Sequence, residues 1–308
     1  MLCNNAYLRA MQQLIVIEGP TASGKTALAV ALAKQLNTVV LSADSRQFYK
    51  EIAIGTAKPN KEEMDGVPHY FIDSHSLEQP LTAGQFETEA LKLITTELKE
   101  YKQLILVGGS GMFIDALCIG LDPIPADETV QYTLREELAT HGLDSLLEEL
   151  KKTDPVYFVD VDQANSARVL RALEAIRITG KPFSELRKQK PEPRPFSVIR
   201  FVIDHQREVL YDRINRRVDL MIEAGLIEEV KSVQHLKHLA SLQTVGYKEV
   251  FDYFDGTYSL ETCIEKIKQH TRNYAKRQLT WFRRHPEAHW IPFTSTEDMA
   301  KSILQIID

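Results

Sequence analysis

The segment Gly19-Pro20-Thr21-Ala22-Ser23-Gly24-Lys25-Thr26 fits the spacing G-x-x-x-x-G-K-[ST] and lies between an apolar run, Leu14-Ile15-Val16-Ile17, and a helix-like run, Ala27-Leu28-Ala29-Val30-Ala31-Leu32-Ala33. No other feature constrains the chain as strongly, because a glycine-rich loop joining a buried strand to a helix fixes a βα unit at one rim of a sheet. Glycines let backbone N–H groups turn inward around phosphate oxygens, and the helix that follows directs the positive end of its dipole at the same charge. Lys25 adds a full positive charge, and Thr26 a hydroxyl suited to Mg²⁺. The loop is therefore expected to cradle a phosphorylated ligand.

Short β-branched runs alternate with helical patterns through the first third of the chain: residues 14–17, then 38–41, then 104–107. That alternation predicts an α/β fold, a P-loop NTPase-like parallel sheet with crossover helices. Ligands collect beyond the carboxyl ends of such strands. The segments there are the phosphate loop, Ser42-Ala43-Asp44-Ser45 and Gly108-Gly109-Ser110-Gly111.

From about residue 122 the pattern changes to charged helices, with apolar residues at three- and four-residue intervals over 135–150 and 164–179. A helical insertion domain is expected over 122–195, closed by the Pro-rich stretch Lys188-Gln189-Lys190-Pro191-Glu192-Pro193-Arg194-Pro195. The core would comprise residues 1–121 and 196–308, resuming with a strand over 197–203 and a long helix over 208–224.

Composition narrows the setting. With 44% hydrophobic and 26% charged residues in a chain of 308, the profile is that of a soluble globular protein. No apolar stretch approaches the ~20 residues of a membrane span, and residues 1–10 lack the apolar segment of a secretory signal. A cytoplasmic location and no membrane contact are expected. Cys3, Cys118 and Cys263 are far apart, without a C-x-x-C pair, which suits a reducing compartment and offers no zinc spacing. A net charge of −6 argues against indiscriminate nucleic-acid binding by the whole surface. The exception is residues 266–284, where Lys266, Lys268, Arg272, Lys276, Arg277, Arg283 and Arg284 occur with Tyr274, Trp281 and Phe282 and without any Asp or Glu. Such a helix reads as a surface for a polyanion.

A phosphate loop alone leaves an NTP-driven motor, a small-molecule kinase and a transferase with a phosphate or diphosphate leaving group open. In ATPases an apolar strand commonly ends in an acid, whereas residues 104–107 run into Gly108-Gly109-Ser110, which weakens the motor reading. Asp44 is the acid at a strand end near the loop. It could accept a proton from a nucleophile attacking beside the phosphate, or serve as a helix N-cap or Mg²⁺ ligand. Arg168 and Arg171 could instead belong to a kinase lid.

Several segments together resemble the tRNA dimethylallyltransferase family: the phosphate loop; Leu41-Ser42-Ala43-Asp44-Ser45-Arg46-Gln47-Phe48-Tyr49; Ile54-Gly55-Thr56-Ala57-Lys58-Pro59; Val107-Gly108-Gly109-Ser110-Gly111-Met112-Phe113; Gln243-Thr244-Val245-Gly246-Tyr247-Lys248; and Tyr274-Ala275-Lys276-Arg277-Gln278-Leu279-Thr280-Trp281-Phe282-Arg283. The phosphate loop is common to many proteins, but the order of the others is specific, and the likeness runs from about residue 14 to 292.

The resemblance implies transfer of a dimethylallyl group from dimethylallyl diphosphate to N6 of the adenosine just 3′ of the anticodon. The loop would then hold a diphosphate with Mg²⁺ at Thr26 rather than ATP. By the same resemblance Asp44 is the general base, Thr21 contacts the reacting diphosphate, and Arg217 helps to hold it, with Arg213 or Arg216 as alternatives. Ser45, Arg46 and Gln47 match the segment that cradles the extruded base, and Ser110, which stands where relatives usually carry Thr, a tRNA contact. Ala167, Arg168, Val169, Leu170 and Arg171, and Gln243, Thr244, Val245, Gly246, Tyr247 and Lys248, match further tRNA contacts, with helix surface charge and a capped turn as the respective alternatives. Lys276 and Arg277 belong to the basic helix. The partners implied are the tRNA anticodon stem-loop and dimethylallyl diphosphate, met by a monomer. Gln131 lies near where many relatives carry a tRNA-touching arginine, and Arg46 replaces a small or apolar residue. An adenylate isopentenyltransferase acting on free AMP or ATP is the nearest alternative, and a P-loop small-molecule kinase a more distant one.

Overall fold

The structure is a computed structural model describing residues 12–122, 124–187 and 192–307. Cys3 and the first four residues of the expected linker, Lys188 to Pro191, lie outside the described residues. In chain order the elements are β1 (Gln12–Glu18), α1 (Lys25–Leu36), β2 (Val40–Ser42), α2 (Lys61–Met64), β3 (His69–Tyr70), α3 (Ala83–Thr95), β4 (Gln103–Gly108) and α4 (Gly111–Cys118). Then come α5 (Glu128–Thr153), α6 (Pro155–Asp160), α7 (Ser166–Thr179), α8 (Phe183–Leu186) and β5 (Phe196–Asp204). The chain ends with α9 (Arg207–Glu223), α10 (Leu226–Ser232), α11 (Tyr247–Phe254), α12 (Leu260–Phe282), β6 (His289–Pro292) and α13 (Thr296–Ile307). Two compact units result, one of Met1–Cys118 with Arg194–Asp308 and one of Ile119–Pro193.

The larger unit is built on a parallel sheet of order β3-β2-β4-β1-β5-β6. Period-2 alternation explains its two-sided burial. Leu14 and Val16 enter one apolar cluster with Leu41, Leu104 and Leu106. Ile15 and Ile17 enter the other with Val40, Ile105 and Val107. The first face is covered by Phe86 and Ala90 of α3, Ile114 of α4, Leu226 of α10 and Ile267 of α12. The second is covered by Leu28 and Leu32 of α1 and Met299 and Ile303 of α13. Each such buried aliphatic side chain contributes about 1.5–3 kcal/mol relative to exposure, which makes the central strands the rigid platform of the unit. The order places the ends of β1, β2 and β4 side by side, so the segments that follow them share one rim.

Two details differ from expectation. The second strand starts at Val40 rather than Thr38, whose hydroxyl instead donates to the Gln103 carbonyl at 2.5 Å. The edge strands β3 and β6 left no legible pattern, being two and four residues long, and Pro292 sits at an edge where its missing N–H costs no ladder bond.

The smaller unit has its own core, including Leu134, Leu146, Leu150, Val169, Leu173 and Ile176. The helix expected over 135–150 is broken at Gly142, where φ is 76°. Asp154, 1% exposed, accepts from Tyr157 N at 2.9 Å and from Ser184 N at 2.7 Å, tying α6 to α8. Among the described residues no helix is long and apolar enough to cross a membrane.

Candidate active site

The phosphate loop leaves the buried end of β1 and enters α1 through Gly24, whose φ of 90° is accessible to glycine at little cost. Three consecutive loop residues are gripped by distant side chains. Thr21 N donates to Gln278 Oε1 at 2.9 Å, Ala22 O accepts from Arg213 Nε at 2.8 Å, and Ser23 O pairs with His205 Nε2 at 2.9 Å. The first N–H groups of α1 have no intrahelical acceptor and face the loop's concavity as anion donors. Among the described residues Lys25 Nζ has the Pro20 carbonyl as its hydrogen-bond partner, at 3.4 Å. Burial lowers its pKa to about 8, and the Asp44 charge opposes that fall.

Asp44 follows β2, and its Oδ1 accepts from Arg46 N at 3.2 Å, which fixes the turn. Next to it Ser45 N donates to Ser110 Oγ at 2.9 Å, and the two hydroxyls are 3.1 Å apart, so the turns after β2 and β4 are joined directly. The buried Gln278 of α12 completes the rim, because while it accepts from Thr21 its Nε2 donates to Gly109 O at 2.9 Å. Asp44 lies near enough to Lys25, Arg217 and Tyr274 for its charge to act on all three. Burial first, and then Asp44, push the Tyr274 phenol up to about 12, so it stays protonated and can donate.

Two cavities open from this rim. One, of about 220 Å³, is lined on its polar side by Thr21, Lys25, Asp44, Arg217, Tyr274 and Gln278 and on its apolar side by Ile214, Val218, Met221, Leu226, Val245 and Ile267. The other, of about 440 Å³, runs along the phosphate loop past Arg213, Arg216 and Arg217. Both are lined by Thr21, Lys25, Asp44, Thr56, Ala57 and Arg217. An anion held by the loop therefore lies against a carboxylate on one side and an apolar wall on the other, the arrangement needed to separate an anionic leaving group from an apolar fragment.

The three arginines of α9 differ in what they touch. Arg213 holds the Ala22 carbonyl, and Arg216 is exposed and paired with Asp212 at 2.8 Å. Arg217 lines both cavities and donates to Ala57 O at 3.3 Å. Burial lowers its pKa from the ordinary guanidinium value, against the pull of Asp44.

Of the residues expected at the site, the structure brings together the phosphate loop, Asp44, Ser45, Arg46, Arg217, Thr244, Val245 and Gly246, with Ser110 joined through Ser45. Others are placed elsewhere. Tyr247 is fully buried, with its phenol on Glu229. Gln47, 9% exposed, does line the second cavity, and its amide donates to Thr56 O and Ala57 O, which holds that loop. Gln243 and Lys248 are exposed. In the smaller unit Ala167 and Arg168 are exposed, Leu170 packs against the core, and Val169 is a core residue. Arg171 is engaged with the carbonyls of Ile124 and Pro125 and with Glu174. Gln131 donates to the same Glu174 at 2.9 Å.

On the basic helix Lys268 pairs with Asp219 and Glu265, and Arg272 bonds Asn215, so neither is a free cation. Lys276 and Arg277 are exposed, beside the rings of Tyr211 and Tyr274. Sequence patterns did not single out Glu229, His205 or Gln278, since their roles depend on backbone partners distant in the chain. Thr271, Tyr274 and Gln278, at spacings of three and four on α12, carried a readable signal of one shared face.

Among the described residues no group of three His, Cys, Asp or Glu side chains could hold a metal ion. Thr26, in the first turn of α1, offers a hydroxyl oxygen, a donor type that Mg²⁺ accepts, so it is the residue that would hold the ion.

A model of the IPP transferase family matches residues 47–285. The chain is 48% identical over 278 residues to the tRNA dimethylallyltransferase of Cytophaga hutchinsonii, covering 90% of this chain and 91% of that one. Among solved structures it is similar to the full-length tRNA isopentenylpyrophosphate transferase of Bacillus halodurans, with a TM-score of 0.71 and 39% identity across 96% of this chain and 95% of that chain. A eukaryotic dimethylallyltransferase acting on tRNA aligns with a TM-score of 0.82 at 27% identity, across 96% of this chain and 77% of that one.

Proposed function

Because the chain belongs to the IPP transferase family, we propose that it transfers a dimethylallyl group from dimethylallyl diphosphate to N6 of the adenosine 3′-adjacent to the anticodon in tRNA, releasing diphosphate. The observation that carries this reading is the junction of the two cavities, where the phosphate loop, Arg217 and Asp44 meet an apolar wall.

In the reaction the N6 lone pair forms a bond to the allylic carbon, and the carbon–oxygen bond breaks with its electron pair leaving on diphosphate. The N6 proton passes to Asp44. Lys25, Arg217 and the N–H groups at the start of α1 meet the charge that develops on the leaving group, so they stabilise the transition state more than the ground state. Thr21 and Thr26 complete the diphosphate shell, with Mg²⁺ supplying further charge neutralisation when bound. The apolar wall of Val218, Met221, Leu226 and Ile267 receives the dimethylallyl carbons and keeps water from the allylic centre.

The acceptor base must leave its stack to reach a buried diphosphate. Ser45 and Arg46 line the cavity that would receive it, and Tyr274 can donate to it. Lys276 and Arg277 provide phosphate contacts to the anticodon stem-loop, as do Ala167 and Arg168 in the first turn of α7. One chain suffices, since phosphate loop, base and apolar wall lie in one unit, and a cytoplasmic monomer is the form in which it would act.

Incubation with dimethylallyl diphosphate and either undermodified tRNA or AMP, followed by mass analysis of nucleosides, tests the proposal. The expected product is N6-dimethylallyladenosine in tRNA. A product from AMP alone would replace tRNA by a free nucleotide as the acceptor.

A further inference from the structure

We infer that His205, braced by Phe293 and Arg213, is a positioning residue that aims the backbone of the phosphate loop at the diphosphate. The inference rests on the reading of that loop as the diphosphate site.

His205 follows the last residue of β5, and its Nε2 lies 2.9 Å from the Ser23 carbonyl. A carbonyl only accepts, so Nε2 carries the proton and the ring is the corresponding neutral tautomer. Nδ1 is buried without a hydrogen-bond partner. Burial lowers the imidazole pKa, as does the nearby Arg213 cation, in keeping with a neutral ring. Neither ring nitrogen is left to address substrate. The imidazole is a one-bond clasp on the loop.

The clasp is itself held. The His205 ring stacks on Phe293 with centroids 4.1 Å apart and planes 24° apart, and the Arg213 guanidinium lies 4.9 Å from the Phe293 centroid. Phe293 N donates to Asp204 O at 2.8 Å, which anchors the brace to the end of β5. From this assembly two donors reach adjacent loop carbonyls, Arg213 Nε to Ala22 O and His205 Nε2 to Ser23 O.

The consequence follows from peptide geometry. The C=O of one residue and the N–H of the next belong to one planar group and point in opposite directions. Drawing the Ala22 carbonyl to Arg213 orients Ser23 N–H, which bonds Pro20 O at 3.2 Å and closes the turn. Drawing the Ser23 carbonyl to His205 orients Gly24 N–H the opposite way, toward the anion side of the loop. The grip also offsets strain, since Ala22 sits at a φ of 63°, a region costing a non-glycine residue about 1–2 kcal/mol. Arg217, four residues after Arg213 on the same helix, is thereby left as the arginine that faces both cavities.

The test compares His205→Leu, which keeps bulk but cannot donate, with His205→Gln, whose amide N–H can reach the same carbonyl. Phe293→Leu is the third variant, removing the stack. Calorimetric titration with inorganic diphosphate should show binding weakened about tenfold by His205→Leu, the scale of one misdirected hydrogen bond. His205→Gln should bind within about threefold of the unsubstituted protein, and Phe293→Leu should fall between them. KM for dimethylallyl diphosphate should rise in parallel while KM for tRNA stays unchanged, a split that a general loss of folding would not give. Diphosphate binding by His205→Leu at unsubstituted strength, or by His205→Gln no better than by His205→Leu, overturns the inference and leaves the functional reading standing. Failure of diphosphate to bind the unsubstituted protein overturns both.

Discussion

The Tyr247 phenol donates to Glu229 Oε1 at 2.5 Å, and the same carboxylate accepts the backbone N–H groups of Ala53, Ile54 and Gly55 at 2.7–2.9 Å. Two loops that line the apolar cavity, at 55–57 and 244–246, are thus pinned to one side chain of α10. The contact is close enough to demand glycine at 55, where a Cβ would lie 2.6 Å from the Tyr247 ring.

Glu229→Ala leaves three amide donors and a phenol without their acceptor. It should lower stability by roughly 2–4 kcal/mol and raise KM for dimethylallyl diphosphate, because Ala57 carries a contact to Arg217. Tyr247→Phe removes one bond and should cost about 1 kcal/mol. Urea denaturation of both variants checks the order. Equal stabilities would show that the carboxylate is not the organising group.

Glu229 also marks the boundary of what was legible beforehand. The central strands, the phosphate loop and the rim residue Asp44 were readable because their signals are local: an apolar run, a glycine spacing, an acid at a strand end. Tyr247 belonged to a recognisable segment, yet its direction depends on Glu229, eighteen residues away. Likewise Gln278 acts on Thr21 across 257 residues, and no local period encodes that pairing. Short edge strands escaped for a related reason, since two residues such as His69 and Tyr70 are too few to alternate.

A second prediction concerns pH. Glu18, at the end of β1, is fully buried, with Oε1 3.2 Å from Arg200 and Oε2 without a hydrogen-bond partner. Burial pushes its pKa up to about 7, against the pull of Arg200, while Asp115 and Glu287 push it the same way as burial. The unfolded chain releases this proton near the model-peptide value and the folded chain only near 7, so between those values the folded state binds more protons and stability falls as pH rises. The favourable contribution is complete below the unfolded pKa and lost above about 7. Glu18→Gln cannot ionise, so its stability relative to the unsubstituted protein should improve by on the order of 2 kcal/mol between pH 5 and pH 7.5. Denaturation midpoints at the two pH values measure this, and a constant difference would place the carboxyl's pKa near its ordinary value.

Salt dependence separates free from paired cations on α12. Lys276→Gln and Arg277→Gln should each reduce the slope of log affinity for tRNA against log salt by about 0.7–0.9, one phosphate contact apiece. Lys268→Gln should change it less, since Lys268 is already paired with Asp219 and Glu265. Binding titrations from about 50 to 200 mM salt span the useful range. Three identical slopes would assign the RNA to another face.

Asp44 should separate binding from turnover. Its carboxylate makes one protein contact, to its own turn at Arg46 N, and otherwise faces the junction lined by Lys25 and Arg217. Removing it takes away the group that receives the N6 proton while leaving the cationic surface of α12 untouched. Asp44→Ala should therefore hold tRNA affinity within a few-fold and cut single-turnover transfer by about 10²-fold or more, the scale of a lost general base. Asp44→Asn, which keeps the shape and can accept a hydrogen bond but not the proton, should be impaired to a similar degree. That result assigns the loss to proton transfer rather than to placement of the amine. Transfer by Asp44→Asn at the unsubstituted rate would mean that the proton leaves N6 by another route, directly to water or to the departing diphosphate, and would reduce Asp44 to an orienting acceptor.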